Sequence, residues 1–337
     1  MEFLNSHPIY AASIQTITPA KDGEILIIVA AADKPVELNS EAKMLIEQLG
    51  SNVQSIKQNP LLKDLNIRIQ QSTILIPNRS SARLLADASK ATLVIWSMAS
   101  DDTLTVHYEI TPRWKQPIQA NATLGDTYPP IKTIEVLEHA TLQFEHKIDS
   151  SYTMIFTSAL VLYSDKQYQV AQSLFENIAK AAQRETYKRL QDLAIAEVWY
   201  YIGLIRQVSQ RNMPYAEQAY NQALLLNPQL AEAYVDRGLV RIVKNRFVEA
   251  VVDYTMAIAL NPNDDFAYLQ RSGCLNNLEK YDLAIADVVE AININPQNAN
   301  AYNDLGGLHA NQGKFEEAEN DFSLAIAHYP MFAMAYV

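Results

Sequence analysis

Ala299-Asn300-Ala301-Tyr302-Asn303-Asp304-Leu305-Gly306-Gly307-Leu308-His309-Ala310-Asn311-Gln312-Gly313-Lys314-Phe315-Glu316-Glu317-Ala318-Glu319-Asn320-Asp321-Phe322-Ser323-Leu324-Ala325 is the stretch on which the architecture turns. Tyr302, Leu305 and Gly306 fall at helical spacing. After the turn, Phe315, Ala318, Phe322 and Ala325 follow at i, i+3, i+7 and i+10. Stepping back by 34 residues finds the same pattern. Pro228, Pro262, Pro296 and Pro330 form one column. Ala216, Ala250, Ala284 and Ala318 form a second, and Ala223, Ala257, Ala291 and Ala325 a third. Tyr220, Tyr254, Val288 and Phe322 lie between the two alanine columns. Self-similarity at this period is the mark of a repeated helix–turn–helix unit.

The pattern has a physical cause. Two antiparallel helices approach closely only where the residues in contact are small. In 231–264, Gly238 and Ala250 suit such a contact, Asn245 marks the turn, and the aromatics fill the space between one pair and the next. Each proline ends a second helix, because it supplies no backbone donor and disfavours helical geometry in the residue before it.

These residues resemble the tetratricopeptide repeat. That family's pattern is an aromatic, Leu-Gly and Tyr on helix A, then Ala, Phe, Ala and Pro on helix B. The unit 299–332 carries it through Tyr302, Leu305, Gly306, Phe315, Ala318, Phe322, Ala325 and Pro330. The unit 265–298 carries it through Tyr268, Tyr281, Ala284, Ala291 and Pro296, with Ser272 where glycine is usual. Leu275, Arg206, Arg241 and His309 replace the usual helix A Tyr. A further unit, 196–230, runs through Trp199, Ile202, Gly203, Ala216, Tyr220, Ala223 and Pro228. It is one residue longer, and the extra residue is expected in the turn around Arg211-Asn212-Met213. Upstream, Tyr168, Ala171, Phe175 and Ile178 suggest a degenerate unit over 152–195, in which Ala179–Ala194 reads as continuous helix. The array is thus expected over 152–337. Its last residues, 333–337, read as the start of another helix A. Repeat arrays normally end in a capping helix with a polar outer side. The expectation is that the polypeptide continues, or that another molecule, a second copy included, covers that end.

At 337 residues the chain is long enough for two domains. No apolar run approaches the ~18–20 residues that span a bilayer; the longest, Ile25–Ala32, has the length of a strand. The amino terminus lacks the positive start and apolar core of a secretion signal. The single cysteine, Cys274, reads as a small buried hydrophobe and suits a reducing compartment, so a cytoplasmic protein is expected. Of the net charge of −11, residues 229–337 carry −8, from 7 Lys/Arg against 15 Asp/Glu. Such a surface repels nucleic acid phosphates and favours a basic peptide partner.

After an amino-terminal extension over 1–23, residues 24–150 read as a small α/β domain. Glu24–Ala31 is a continuous apolar strand of the kind buried on both faces. Ser40–Ile56 reads as a helix through Ala42, Leu45, Ile46 and Leu49. Asn66–Ile69 is a strand, Ser80–Lys90 a helix, and Ala91–Trp96 a buried strand. Thr103–Thr111 alternates strictly and reads as an edge strand. This order implies a mixed sheet with flanking helices. It resembles the amino-terminal domain of TolB and the many bacterial domains similar to it, through Ile25–Ala31, Ala82–Ala88 and Leu93-Val94-Ile95-Trp96, although Ser97 replaces the usual glycine. The resemblance implies a non-catalytic, partner-contacting domain. From 112 to 150, four prolines and Gly125 indicate an irregular connection. Ile131–Val136 and Thr141–Ile148 could be strands or short helices.

Catalytic constellations are weak. The turn after the first strand, Ala30–Pro35, has no glycine with which to cradle a phosphate. Glu135, Glu138, His139, Glu145 and His146 could be metal ligands by type, but not by spacing. Ser97 has no nucleophile elbow, and Asp101-Asp102 reads as a turn. No cofactor is expected.

Stacked units should line a groove with their helices A. By position within the repeat, the peptide-binding residues are expected to be Tyr200, Leu204, Gln207, Val235, Leu239, Leu269, Gly273, Asn276, Asn277, Asn300, Asn303, Gly307 and Asn311. The early part is apolar and the later part amide-rich. Amides donate and accept, which suits an extended segment held by its main chain. Related arrays that grip a terminal carboxylate use Lys, Arg and Asn, whereas Tyr200, Asp236 and Asn300 stand at such sites here. The reading is a non-enzymatic adaptor or scaffold. Its rival is a regulatory arm attached to an α/β effector or ligand-binding module.

Overall fold

The computed structural model describes residues 17–21, 24–31, 47, 66–72, 75–99, 103–110, 139–145, 150–184 and 193–328. Among these, the residues up to Ile205 form one compact unit and those from Arg206 onward a second.

The first unit is built on a sheet of five strands, β1 (Ile25–Ala31), β2 (Ile67–Gln71), β3 (Leu93–Ala99), β4 (Thr103–Ile110) and β5 (His139–Glu145), in the order β2-β1-β3-β4-β5. β2, β1 and β3 run parallel, and β4 and β5 are antiparallel. The sheet is therefore mixed, as the alternation of elements implied. β5 resolves the open reading of Thr141–Ile148 as a strand as far as Glu145, residues 146–148 lying outside the described ones. By pairing with β4 it makes that strand an inner one rather than the edge strand expected over Thr103–Thr111. The expected helix at Ser40–Ile56 and the stretch Ile131–Val136 lie outside the described residues, apart from Glu47.

β1 is apolar at every position because both faces of the sheet are covered. On one face, Leu26, Ile28, Ala30, Val94 and Trp96 pack with Ala82, Leu85 and Ala86 of helix α1 (Arg79–Ser89). Asn78 caps α1, its side chain accepting a hydrogen bond from Ser81 N at 3.0 Å. On the other face, Ile25, Ile27, Val29, Leu93, Ile95, Val106 and Tyr108 are all buried. Tyr108 meets Phe156 of helix α2 (Ser150–Ser164) edge to face, with ring centres 5.5 Å apart. Phe156 then meets Phe175 of α3 (Tyr168–Ala182), and Phe175 stacks on Tyr201 of α4 (Ile195–Val208) at 5.2 Å. An aromatic chain thus runs from the sheet through three helices. The expected continuous helix over Ala179–Ala194 is not what forms: α3 stops at Ala182, where its buried stripe of Ala179 and Ala182 ends, and exposed Gln183 and Arg184 turn away.

The second unit consists of helix pairs. They are α5 (Met213–Leu226), which follows the end of α4; α6 (Ala231–Val243) with α7 (Phe247–Leu260); α8 (Asp265–Asn277) with α9 (Tyr281–Ile294); and α10 (Ala299–Asn311) with α11 (Phe315–His328). The 34-residue step recurs in the backbone. Arg211, Asn245, Glu279 and Gly313 are all left-handed, at φ 49°, 57°, 57° and 76°. In three units the residue after this turn donates to a carbonyl five back: Arg246 to Arg241, Lys280 to Leu275, and Lys314 to His309. In the first, Asn212 N reaches six back, to Arg206 O at 2.9 Å, so the extra residue sits just before Arg211. The second helices end alike, with Asn227, Asn261 and Asn295 donating to Ala223, Ala257 and Ala291 before the proline.

Candidate functional site

In two of the pairs, α6–α7 and α10–α11, a glycine faces a large ring. A Cβ added at Gly238 would lie 2.7 Å from the Tyr254 ring, and one at Gly306 would lie 2.7 Å from Phe322. Both rings occupy the space that a side chain would need.

A second set of contacts escaped the sequence reading. Asp253, Asp287 and Asp321 form a 34-step column of buried carboxylates on helices α7, α9 and α11. Arg237 binds Asp253 through Nε and Nη2, at 3.2 and 2.6 Å, and Arg241 adds a bond at 2.8 Å. Arg271 forks onto Asp287 at 2.8 and 2.7 Å. His309 Nδ1 lies 2.6 Å from Asp321. The same arginines reach the preceding second helix: Arg237 Nη1 donates to Asn221 at 2.7 Å, and Arg271 Nη1 to Thr255 at 3.1 Å. Each therefore ties its own pair to its neighbour, and each lies over an aromatic ring, Tyr234 or Tyr268. Glu217 gathers Arg241, Lys244 and Arg246. Burial raises its carboxyl, but these three cations more than offset that and hold it below the ordinary range. The signal was present in the period, but an acid on a surface helix reads as solvated until its face is known.

The expected groove residues divide by exposure. Tyr200 and Leu204 are fully buried in the first unit, Tyr200 against the Tyr201 ring. In the second unit, Gln207 is buried and accepts from the Tyr220 hydroxyl at 2.7 Å. Val235 and Leu269 lie in the core between helices, and Leu239 is half-buried. The amide group is more accessible. Asn276, Asn300, Asn303 and Gly307 are half-buried, whereas Gly273, Asn277 and Asn311 are exposed. A Cβ at Gly273 or Gly307 would meet nothing within 4 Å, so two successive helices A present bare backbone to that side. Asn277 Nδ2 donates to Gly273 O at 2.8 Å, and Asn311 Nδ2 reaches across to Asn276 Oδ1 at 3.0 Å. Asn300 Nδ2 lies 3.4 Å from Asn298 Oδ1. Asp236 is fully buried. The side chains of His139 and Glu145 lie outside the described residues, as do Glu135, Glu138 and His146. No group of three metal-ligating side chains occurs among those described.

Fold and columns define an α/β amino-terminal domain followed by an all-α array of helix pairs. Residues 267–298 and 289–320 each match a tetratricopeptide repeat family, and the chain carries these repeats. No curated protein matches it. Among solved structures, MamA is similar at 20% identity over 52% of this chain and 96% of that one, with a TM-score of 0.46. A MamA from Desulfovibrio magneticus RS-1 is similar at 18% identity over 48% and 96%, with a TM-score of 0.40. YrrB, described as a TPR protein with an unusual peptide-binding site, is similar at 22% identity over 54% and 90%, with a TM-score of 0.46.

Proposed function

We propose that the protein is a non-enzymatic adaptor that holds an extended peptide segment against the helix A surface of its last repeats. The observation that carries this reading is the pairing of bare backbone at Gly273 and Gly307 with Asn277 and Asn311 four residues on. A chain can approach closely over the glycines, and each amide offers both a donor and an acceptor to its main chain. These groups include no nucleophile, general base or metal ligand set. The partner segment is basic: Arg237, Arg241, Lys244, Arg246 and Arg271 are consumed by internal ion pairs. The net −8 of residues 229–337 is thus presented largely by exposed carboxylates. The same charge argues against nucleic acid. No described helix is long and apolar enough to cross a membrane. The buried thiol of Cys274, pushed up to about 12 by burial, suits the reducing cytoplasm in which we place the protein.

The test is capture of extended peptides by the full-length chain, with Asn277→Trp combined with Asn303→Trp as the variant. Lys-rich segments should be retained by the natural protein and lost by the double variant, with helicity by circular dichroism unchanged. Equal capture by both proteins removes this surface from the reading.

A further inference from the structure

The outward face of α7 carries Val248, Val252 and Met256 at i, i+4 and i+8, exposed by 63%, 56% and 40%. Thr255 and Ala259 are exposed beside them, and no charged residue interrupts the row. The acids of this helix turn elsewhere: Asp253 points inward to its arginines, and Glu249 pairs with Arg246. The neighbouring repeats differ at the corresponding positions. One repeat on stand Asp282, Ala286 and Glu290; one repeat back stand Pro214, Gln218 and Gln222. Asp282 accepts a hydrogen bond only from a neutral amide, Gln312 Nε2 at 2.8 Å, and Glu290 has no ion pair among the described residues. The apolar row is thus bordered by carboxylates on one side and by neutral residues on the other.

Residues spaced by four form the ridge that fits the groove of another helix. Valine enters such a contact with little rotamer freedom to lose, and methionine adapts its shape to what it meets. We propose that this ridge, on the side opposite the helices A, docks an amphipathic helix of a partner protein whose apolar stripe is flanked by Lys or Arg. Charge selects that occupant. A second copy would bring acid to acid, since five of the seven cations of this half, Arg237, Arg241, Lys244, Arg246 and Arg271, are held in internal ion pairs. An anionic lipid surface would meet the same repulsion.

The probe is a fluorescein-labelled synthetic helix with leucines at i, i+4 and i+8 and lysines along one flank, titrated with the full-length chain and followed by anisotropy. Val252→Lys and Val248→Glu are surface changes at exposed positions, and each should weaken binding by about tenfold or more. Glu290→Gln should weaken it less and flatten its salt dependence. A version of the probe with glutamate for lysine should not bind. The Asn277→Trp, Asn303→Trp variant should bind like the natural protein, which separates this surface from the peptide groove. Several results would overturn the proposal. They are undiminished affinity in Val252→Lys and Val248→Glu, equal binding of the glutamate probe, and loss of binding in the groove variant. Two more are self-association in sedimentation that Val252→Lys abolishes, and tighter binding to phosphatidylserine vesicles than to the helix.

Discussion

The units 231–264, 265–298 and 299–332 solve one packing problem in two ways. In the first and last, glycine faces a ring: Gly238 against Tyr254, and Gly306 against Phe322. In the middle unit Ser272 stands in the glycine column, and the ring is replaced by Val288, both buried. What is added on one helix is removed on the other, so the two contributors trade volume. Charge follows the same logic. Asp253 is met by two arginines, Asp287 by one, and Asp321 by a histidine. A repeat column is therefore not a row of independent preferences but one half of a pair.

Removing one partner from a buried ion pair should destabilise the array most. Asp253→Ala strands Arg237 and takes from Arg241 the shortest of its ion pairs, leaving it Glu217 and Glu249, and should cost about 3–5 kcal/mol; Asp287→Ala, which strands Arg271 alone, should cost less. Urea unfolding followed by circular dichroism measures both. Next comes the volume pair. Val288→Phe opposite Ser272 should destabilise by about 1–3 kcal/mol through overpacking, and adding Ser272→Gly should recover most of it. Strict additivity of the two changes would show that the columns are independent. Tyr254 carries a buried hydroxyl without a hydrogen bond, where Phe322 has none to satisfy. Burial also pushes its phenol well above the ordinary range. Tyr254→Phe should accordingly raise stability by about 1 kcal/mol. The turns offer a smaller contrast. Glu279→Gly should gain up to about 1 kcal/mol at its left-handed position, while Gly313→Ala should lose a similar amount.

The last and smallest effect lies in the sheet unit, which has no repeat column. Glu24 is held at about 2 by hydrogen bonds from Arg68 and the Lys21 amide, assisted by the Arg68 charge. A carboxyl depressed in the folded state contributes stability above its ordinary value of 4.5, and that contribution is lost as pH falls toward 2. Glu24→Gln should flatten this acid dependence, read from tryptophan fluorescence, while leaving stability at pH 2 nearly unchanged.

Much of the fold could be read from residue type and spacing. The alanine and proline columns located the helix pairs, Asn245 the turn, and the uniform apolarity of Ile25–Ala31 a strand covered on both faces. The site was less legible. Val235 and Leu269 occupy the same column as Asn303, yet they serve the core, because spacing gives the helical face without giving the rotation at which neighbouring pairs meet. The carboxylates at 253, 287 and 321 were equally periodic. Their role stayed hidden because their partners, Arg237, Arg241, Arg271 and His309, lie on another helix.

By itself the sequence determined the period, the helix ends, and the alternation of strand and helix before them. These follow from local chemistry: proline without a donor, small residues at helical spacing, and apolar runs of strand length. Only the tertiary structure decided what covers the sheet's second face, where Tyr108 meets Phe156, and which aspartates turn inward to arginine. It also showed that an uncharged ridge on α7 is left facing water. Burial and pairing belong to two chain segments at once, and neither segment alone contains the other's position.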